Sequence, residues 1–137
     1  MATEISVAIR KSQEFEEFLE LNGFSVENLG EENFSVTRDE ELAVMVNVTE
    51  GVMRFQVNIC STSTIDTKEM YFKFLDLNTE ILPVSFGVDS TDADDPCLVL
   101  TESRLTADLS SDELLGVFDS LELATDRAEE VLTKGLN

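Results

Sequence analysis

The stretch ELAVMVNVTEGVMRFQVNICS, residues 41–61, decides the fold. It reads as two β-strands, residues 42–49 and 52–60, joined by the dipeptide Glu50-Gly51. A two-residue turn pairs Thr49 with Val52 and carries the register outward two residues at a time. That register sets Val48 opposite Met53, Val46 opposite Phe55, Val44 opposite Val57 and Leu42 opposite Ile59. Side chains alternate along a strand, so all eight apolar residues fall on one face. The other face holds Ala43, Met45, Asn47 and Thr49 against Val52, Arg54, Gln56, Asn58 and Cys60, a mixed set that can meet water. A slip by one residue would send the apolar set to the wrong side, so the pairing is well specified. Each large side chain buried there contributes roughly 1.5–3 kcal/mol. This sheet face is therefore expected to be the floor of the core.

Upstream, residues 12–22 read as a helix with Ser12 as its N-cap and Gly23 just past its end. Phe15, Phe18 and Leu19 share a face, and Glu14, Glu16, Glu17 and Glu20 lie outward on a solvated one. Ile5 and Ala8 continue the apolar stripe backwards, which allows an earlier start. Residues 24–28 and 33–37 alternate as two short strands around a turn at 29–32. Both are brief and polar on one side, which suits the edge of a sheet.

Downstream, residues 61–65 read as a loop, and Asp66 with Glu69 forms a capping box for a second helix. Met70, Phe74, Leu77 and Ile81 step at helical spacing, flanked by Tyr71, Phe72 and Leu75. So wide an apolar arc predicts packing on more than one side. Pro83 ends that helix. Residues 84–88 and 97–101 then read as strands, the second reaching toward Leu105. Between them Asp92, Asp94 and Asp95 suggest calcium, but Pro96 follows and no glycine or distant glutamate completes a calcium loop, so the segment is a polar hairpin tip. Ser110 and Glu113 form another capping box. Leu114, Val117, Leu121, Ala124, Ala128 and Val131 then alternate in steps of three and four, joined by Phe118 and Leu132. This last helix spans roughly 36 Å. It covers the chain's own sheet or pairs with another copy; three heptads are barely a coiled coil, which favours the sheet.

The length of 137 residues and the 42% apolar composition are expected to build one domain, residues 1–137, with one core. Twenty-nine acids oppose nine bases, for a formal charge of −20. Such a field repels nucleic-acid phosphates and anionic lipid and draws basic protein surfaces, although acids spread through the whole chain favour the plainer reading of solubility or adaptation to a salty cytoplasm. No apolar run approaches the ~20 residues that cross a bilayer. The start, MATEISVAIRK, has no basic region, apolar segment and cleavage site in succession, so a cytoplasmic location is expected. The sequence lacks histidine, which removes Ser-His-Asp and Cys-His nucleophiles and histidine-ligated zinc. Cys60 and Cys97 read as small buried hydrophobes, since a disulfide is out of place in the cytoplasm. No cofactor or metal is expected.

The order of elements is α-β-β-β-β-α-β-β-α, an α+β chain. With Leu-Pro-Val-Ser-Phe-Gly at 82–87 after the second helix, and Leu-Val-Leu at 98–100 before a long acidic last helix, it resembles the YjfI-like family of small bacterial proteins. Its layout is similar to YbjN-like proteins and to the class I chaperones of type III secretion. The resemblance implies an antiparallel twisted sheet with helices packed on one face, frequent dimers and a chaperone-like or envelope-stress-associated role.

The expected function is thus a small acidic protein-interaction module. Its partner would be a protein with a basic or amphipathic segment, with a homodimer as a further option. The candidate contact residues are Asn33, Phe34 and Val36 on the supposed edge strand, and Leu123 and Arg127 on the outer side of the last helix. Extended segments add to sheet edges, and amphipathic helices lie in apolar grooves. The alternatives are an acidic nucleic-acid mimic or inhibitor of a basic protein and, less favoured, a carboxylate-based enzyme. The sequence has neither a glycine-rich phosphate loop nor a Gly-x-Ser-x-Gly motif.

Overall fold

The structure, a computed structural model, describes residues 12–107 and 109–135. Within them the chain runs α1 (Ser12–Leu21), β1 (Ser25–Gly30), β2 (Asn33–Thr37), β3 (Val44–Thr49) and β4 (Val52–Ser61). A 3-10 turn (Thr62–Ile65) leads to α2 (Lys68–Leu77), β5 (Ser85–Asp89), β6 (Cys97–Leu105) and α3 (Ser111–Gly135). The six described strands form one antiparallel sheet in the order β1-β2-β3-β4-β6-β5.

The central hairpin has the register its sequence demands: Val48 faces Met53, Val46 faces Phe55 and Val44 faces Val57. Glu50 and Gly51 both have positive φ, 52° and 77°, the type I′ turn that matches strand twist. Leu42 is the exception. It lies ahead of β3 and is exposed, and the β3–β4 pairing ends at Val44 and Val57, so it does not face Ile59 in the ladder.

The sheet's apolar face carries α1 and α3. Phe15 of α1 stacks at 4.9 Å on Phe34, and Phe118 of α3 meets Phe55 edge-on at 5.7 Å and Phe24 at 4.9 Å. Leu114, Val117, Leu121, Ala124 and Ala128 are all buried, so α3 covers its own sheet. Its capping box forms at Ser110, whose hydroxyl accepts from the Glu113 amide and donates to the Glu113 carboxylate, both at 3.1 Å.

Helix α1 ends in a Schellman motif. The amide of Phe24 donates to Leu19 O and that of Gly23 to Glu20 O, while Gly23 takes φ 91°. Ser12 is the first described residue and is already helical, and Ile5 and Ala8 lie outside the described residues.

Three local expectations are corrected. The cap of α2 is Thr67, whose hydroxyl accepts from Met70 N at 3.1 Å, whereas Asp66 closes the preceding 3-10 turn. Helix α2 stops at Leu77, short of Ile81, because Asn78 turns to accept the amide of Phe86 at 2.6 Å and ties the helix end to β5. It is also packed on one side only. Met70, Phe74 and Leu77 are buried, with Phe74 on Phe86 at 4.9 Å, whereas Phe72 and Leu75 stand in solvent.

Candidate functional site

The sheet edges are β1 and β5, so β2 is an interior strand, contrary to the sequence reading. Phe34 and Val36 face the core opposite Val46 and Val44 and are buried, out of reach of any partner in this conformation. Asn33 is half-buried and already engaged: its amide donates to Gly30 O and Glu31 O, and its carbonyl accepts from Asn47. Of the two edge strands, β1 is the one whose residues are almost all exposed.

Leu123 and Arg127, in contrast, are brought together on the outer side of α3. They line a groove of about 380 Å³ with Glu80, Ile81 and Leu82. A second hollow of about 280 Å³ continues along α2 past Phe72, Leu77 and Val131 and shares Glu80 and Arg127 with the first. The ion pair Arg127–Glu80, at 3.1 Å, stands between the two halves. Along this strip Phe72, Leu82 and Leu123 are 68–73% exposed, and Leu75 of α2, outside both hollows, is exposed as well. Every cation here already holds a carboxylate, since Lys73 pairs with Glu69 and Lys134 with Glu130. The Lys134 hydrogen bond holds the Glu130 carboxyl below its ordinary range. Among the described residues Asp76 and Asp126 have no ion-pair partner, one beside each half.

The strip continues into a carboxylate cluster near the turn between β2 and β3. Loss of solvent, then the charges of Asp126, Glu122 and Glu129, push the Glu41 carboxyl above its ordinary range. Arg38 answers that charge. It pairs with Glu122 and Asp119 and sits 4.5 Å over the Phe24 ring, and the two carboxylates strengthen its hold on its proton.

The sheet face opposite the helices bears a different surface. Asn33, Asn47, Arg54 and Ser103 form one row across β2, β3, β4 and β6. Met45, Gln56, Thr101 and Ser85 form the next, across β3, β4, β6 and β5. Between them lies a trough of about 600 Å³, floored by the backbone of Val46, Phe55 and Glu102, whose side chains point into the core.

Chemistry-bearing groups elsewhere are structural. Cys60 pairs with Leu98 and Cys97 with Ser61, one step out of register, so the two thiols leave on opposite faces and both are free. Burial, with a smaller push from Cys97, raises the Cys60 thiol above its ordinary range. Glu102 is a buried carboxylate held by Arg104 Nε at 2.9 Å, its other oxygen unpartnered among the described residues. Among the described residues no group of three or more His, Cys, Asp or Glu converges as a metal-ligand set, and no helix is long and apolar enough to cross a membrane.

The sequence pointed to Leu123 and Arg127 but missed Phe72, Leu75, Leu82 and Arg54. The signal for the first two was present: they fall off the Met70-Phe74-Leu77 stripe. Leu82 precedes Pro83 beyond the helix end, and Arg54 sits on the hairpin's polar face.

The six-stranded antiparallel sheet with its three helices matches the folds of type III secretion chaperones. A chain of the heterodimeric ExoU–SpcU complex from the type III secretion system of Pseudomonas aeruginosa superposes with a TM-score of 0.67 at 18% identity, over 85% of this chain and 95% of that one. YbjN of E. coli gives 0.60 at 13% identity, over 92% and 91%. The Yersinia pestis type III secretion chaperone SycH, solved with a stable fragment of YscM2, gives 0.55 at 19% identity, over 94% and 98%. At such identities these likenesses establish the fold. No curated protein matches the sequence. The profile of the CesT_Tir_1 family matches residues 8–135, and the chain belongs to that type III secretion chaperone family. It is a chaperone-like, protein-binding module.

Proposed function

We propose that the chain holds a basic, amphipathic segment of a partner protein in the groove between α2 and α3. The observation that carries this is the strip of Phe72, Leu82 and Leu123, exposed in water and flanked by the free carboxylates of Asp76 and Asp126. A basic segment would be drawn by the charge of −20 and oriented by those two acids.

Covering Phe72, Leu82 and Leu123 contributes about 4.5–9 kcal/mol at most, which the association cost of about 4–15 kcal/mol largely offsets. The groove alone therefore holds weakly and releases readily, and firmer capture needs a second contact. The unpaired edge of β1 supplies one by strand addition. Pairing of two copies would supply another by presenting two grooves to one segment. Kinship with YjfI-like proteins, and with it an envelope-stress partner, belongs to the same proposal and rests on the element order, while a cytoplasmic setting is supported by the family match.

The test is co-purification from the source cell with wild type and a Leu82→Asp/Leu123→Asp variant. The wild type is expected to bring down a stoichiometric protein with a basic amphipathic segment. The variant, folded by circular dichroism, is expected to lose it. A wild type that recovers no such protein, or a variant that keeps it, overturns the reading.

A further inference from the structure

We propose that the trough across the open sheet face takes an extended, polar peptide segment, and that Arg54 fixes its register by gripping one carboxylate. This rests on the protein-binding reading above and adds a second contact strip with the opposite charge preference.

The first observation is the state of the cations. Arg38, Lys73, Arg104, Arg127 and Lys134 each hold a carboxylate. Two exposed cations, Lys68 at the start of α2 and Arg54, make no ion pair or side-chain hydrogen bond among the described residues, and of these only Arg54 lines the trough. Its guanidinium is a planar fork of donors suited to a carboxylate. Of the side chains that rise from the trough, Arg54 alone is charged; the other charged residue lining it, Glu102, turns its carboxylate into the core.

The second observation is shape. From β2 to β5 the trough crosses five strands. At about 4.8 Å per strand spacing it is about 19 Å long, and rows two residues apart leave it about 7 Å wide. An extended chain advances about 3.4 Å per residue, so about six residues fill it. A compact small molecule would touch only part of that length. Around Arg54 the walls are hydroxyls and amides, including Ser103 and Gln56, which suit a polar segment better than the apolar helix face expected in the other groove.

A capped hexapeptide, Lys-Ser-Thr-Glu-Ser-Gly, tests this by amide chemical-shift mapping on the full chain at 0.15 M salt. Its net charge is zero, so the overall field neither draws nor repels it. The control carries Gln for Glu and is net positive, so the field alone would favour the control. We expect shifts at Asn47, Arg54, Gln56 and Ser103, with the Glu peptide binding about tenfold tighter than the control. Arg54→Gln is expected to erase that difference, while Leu82→Asp/Leu123→Asp leaves it intact. Equal or tighter binding of the control overturns the proposal. So do shifts confined to the α2–α3 groove, a difference that survives Arg54→Gln, or no shift at millimolar peptide. Failure of the groove reading shows in the co-purification, not here, so the two ideas fall separately.

Discussion

Arg38 and Glu122, 84 residues apart in sequence, are joined by three hydrogen bonds. Nη2 donates to both carboxylate oxygens at 2.6 and 2.7 Å, and Nε donates to one of them at 3.1 Å. The pair fastens the turn after β2 to the middle of α3, and both side chains are largely shielded. Replacing Arg38 with Ala is expected to lower stability by about 1–2 kcal/mol, from the shielded charge-assisted bonds and the cation–π contact with Phe24. Lys at this position is expected to recover less than half, because it lacks the planar fork. Urea denaturation checks both, and an unchanged midpoint for Arg38→Ala would refute the assignment.

Gly23 should resist substitution. Its φ of 91° closes the Schellman motif, and no neighbour crowds an added Cβ, so any cost is conformational. Gly23→Ala is expected to lose about 1 kcal/mol, read from thermal melting. Gly116, in mid-helix with open space for a Cβ, is expected to gain about 0.5–1 kcal/mol on the same change.

Glu102 and Arg104 should respond unequally. Arg104→Ala strands a buried carboxylate and is expected to cost about 2 kcal/mol. Glu102→Leu removes an oxygen without a partner and is expected to be neutral or stabilising. Matching losses for the two variants in denaturant titrations would show that burial of Glu102 is compensated in some other way.

Asp89 offers a pH readout. The Thr91 hydroxyl, then the Gln56 amide, then the Thr91 backbone N–H hold its carboxyl at about 2, below the usual 3.8. A depressed pKa means that the folded chain takes up this proton less readily than the unfolded one. The associated stability is therefore complete above pH 3.8 and disappears as pH falls through about 2. Carboxyl NMR should place the midpoint near 2 and move it upward in Thr91→Ala; a wild-type midpoint near 3.8 would contradict the hydrogen bonds.

The parts of the fold that could be read from sequence are those where two independent patterns agree. Val44, Val46, Phe55 and Val57 alternate on two strands whose turn sets their pairing, so periodicity and register reinforce each other. The same alternation in Asn33-Phe34-Ser35-Val36-Thr37 put Phe34 and Val36 on one face, but the sequence reading offered them as partner contacts, whereas both are buried. The rank of β2 within the sheet was not legible, because pairing through one backbone edge or two leaves no mark on five side chains. Helix α2 misled for a related reason: Phe72 and Leu75 carry the composition of a second packed side, and only tertiary placement reveals that nothing lies over them. Leu123 and Arg127 could be assigned to the outside of α3 by helical phase alone, but their partners Glu80 and Leu82 arrive from a turn whose path depends on Asn78 and Phe86.

The Glu80–Arg127 bridge acts as a latch across the groove. Both ends are about half in water, so opening it costs less than about 1 kcal/mol. Under the binding proposed above, an incoming arginine that took over Glu80 would free Arg127, the residue that stands between the two hollows. The lock thus opens to the same chemical group that it is built from, and a ligand bearing that group brings its own key.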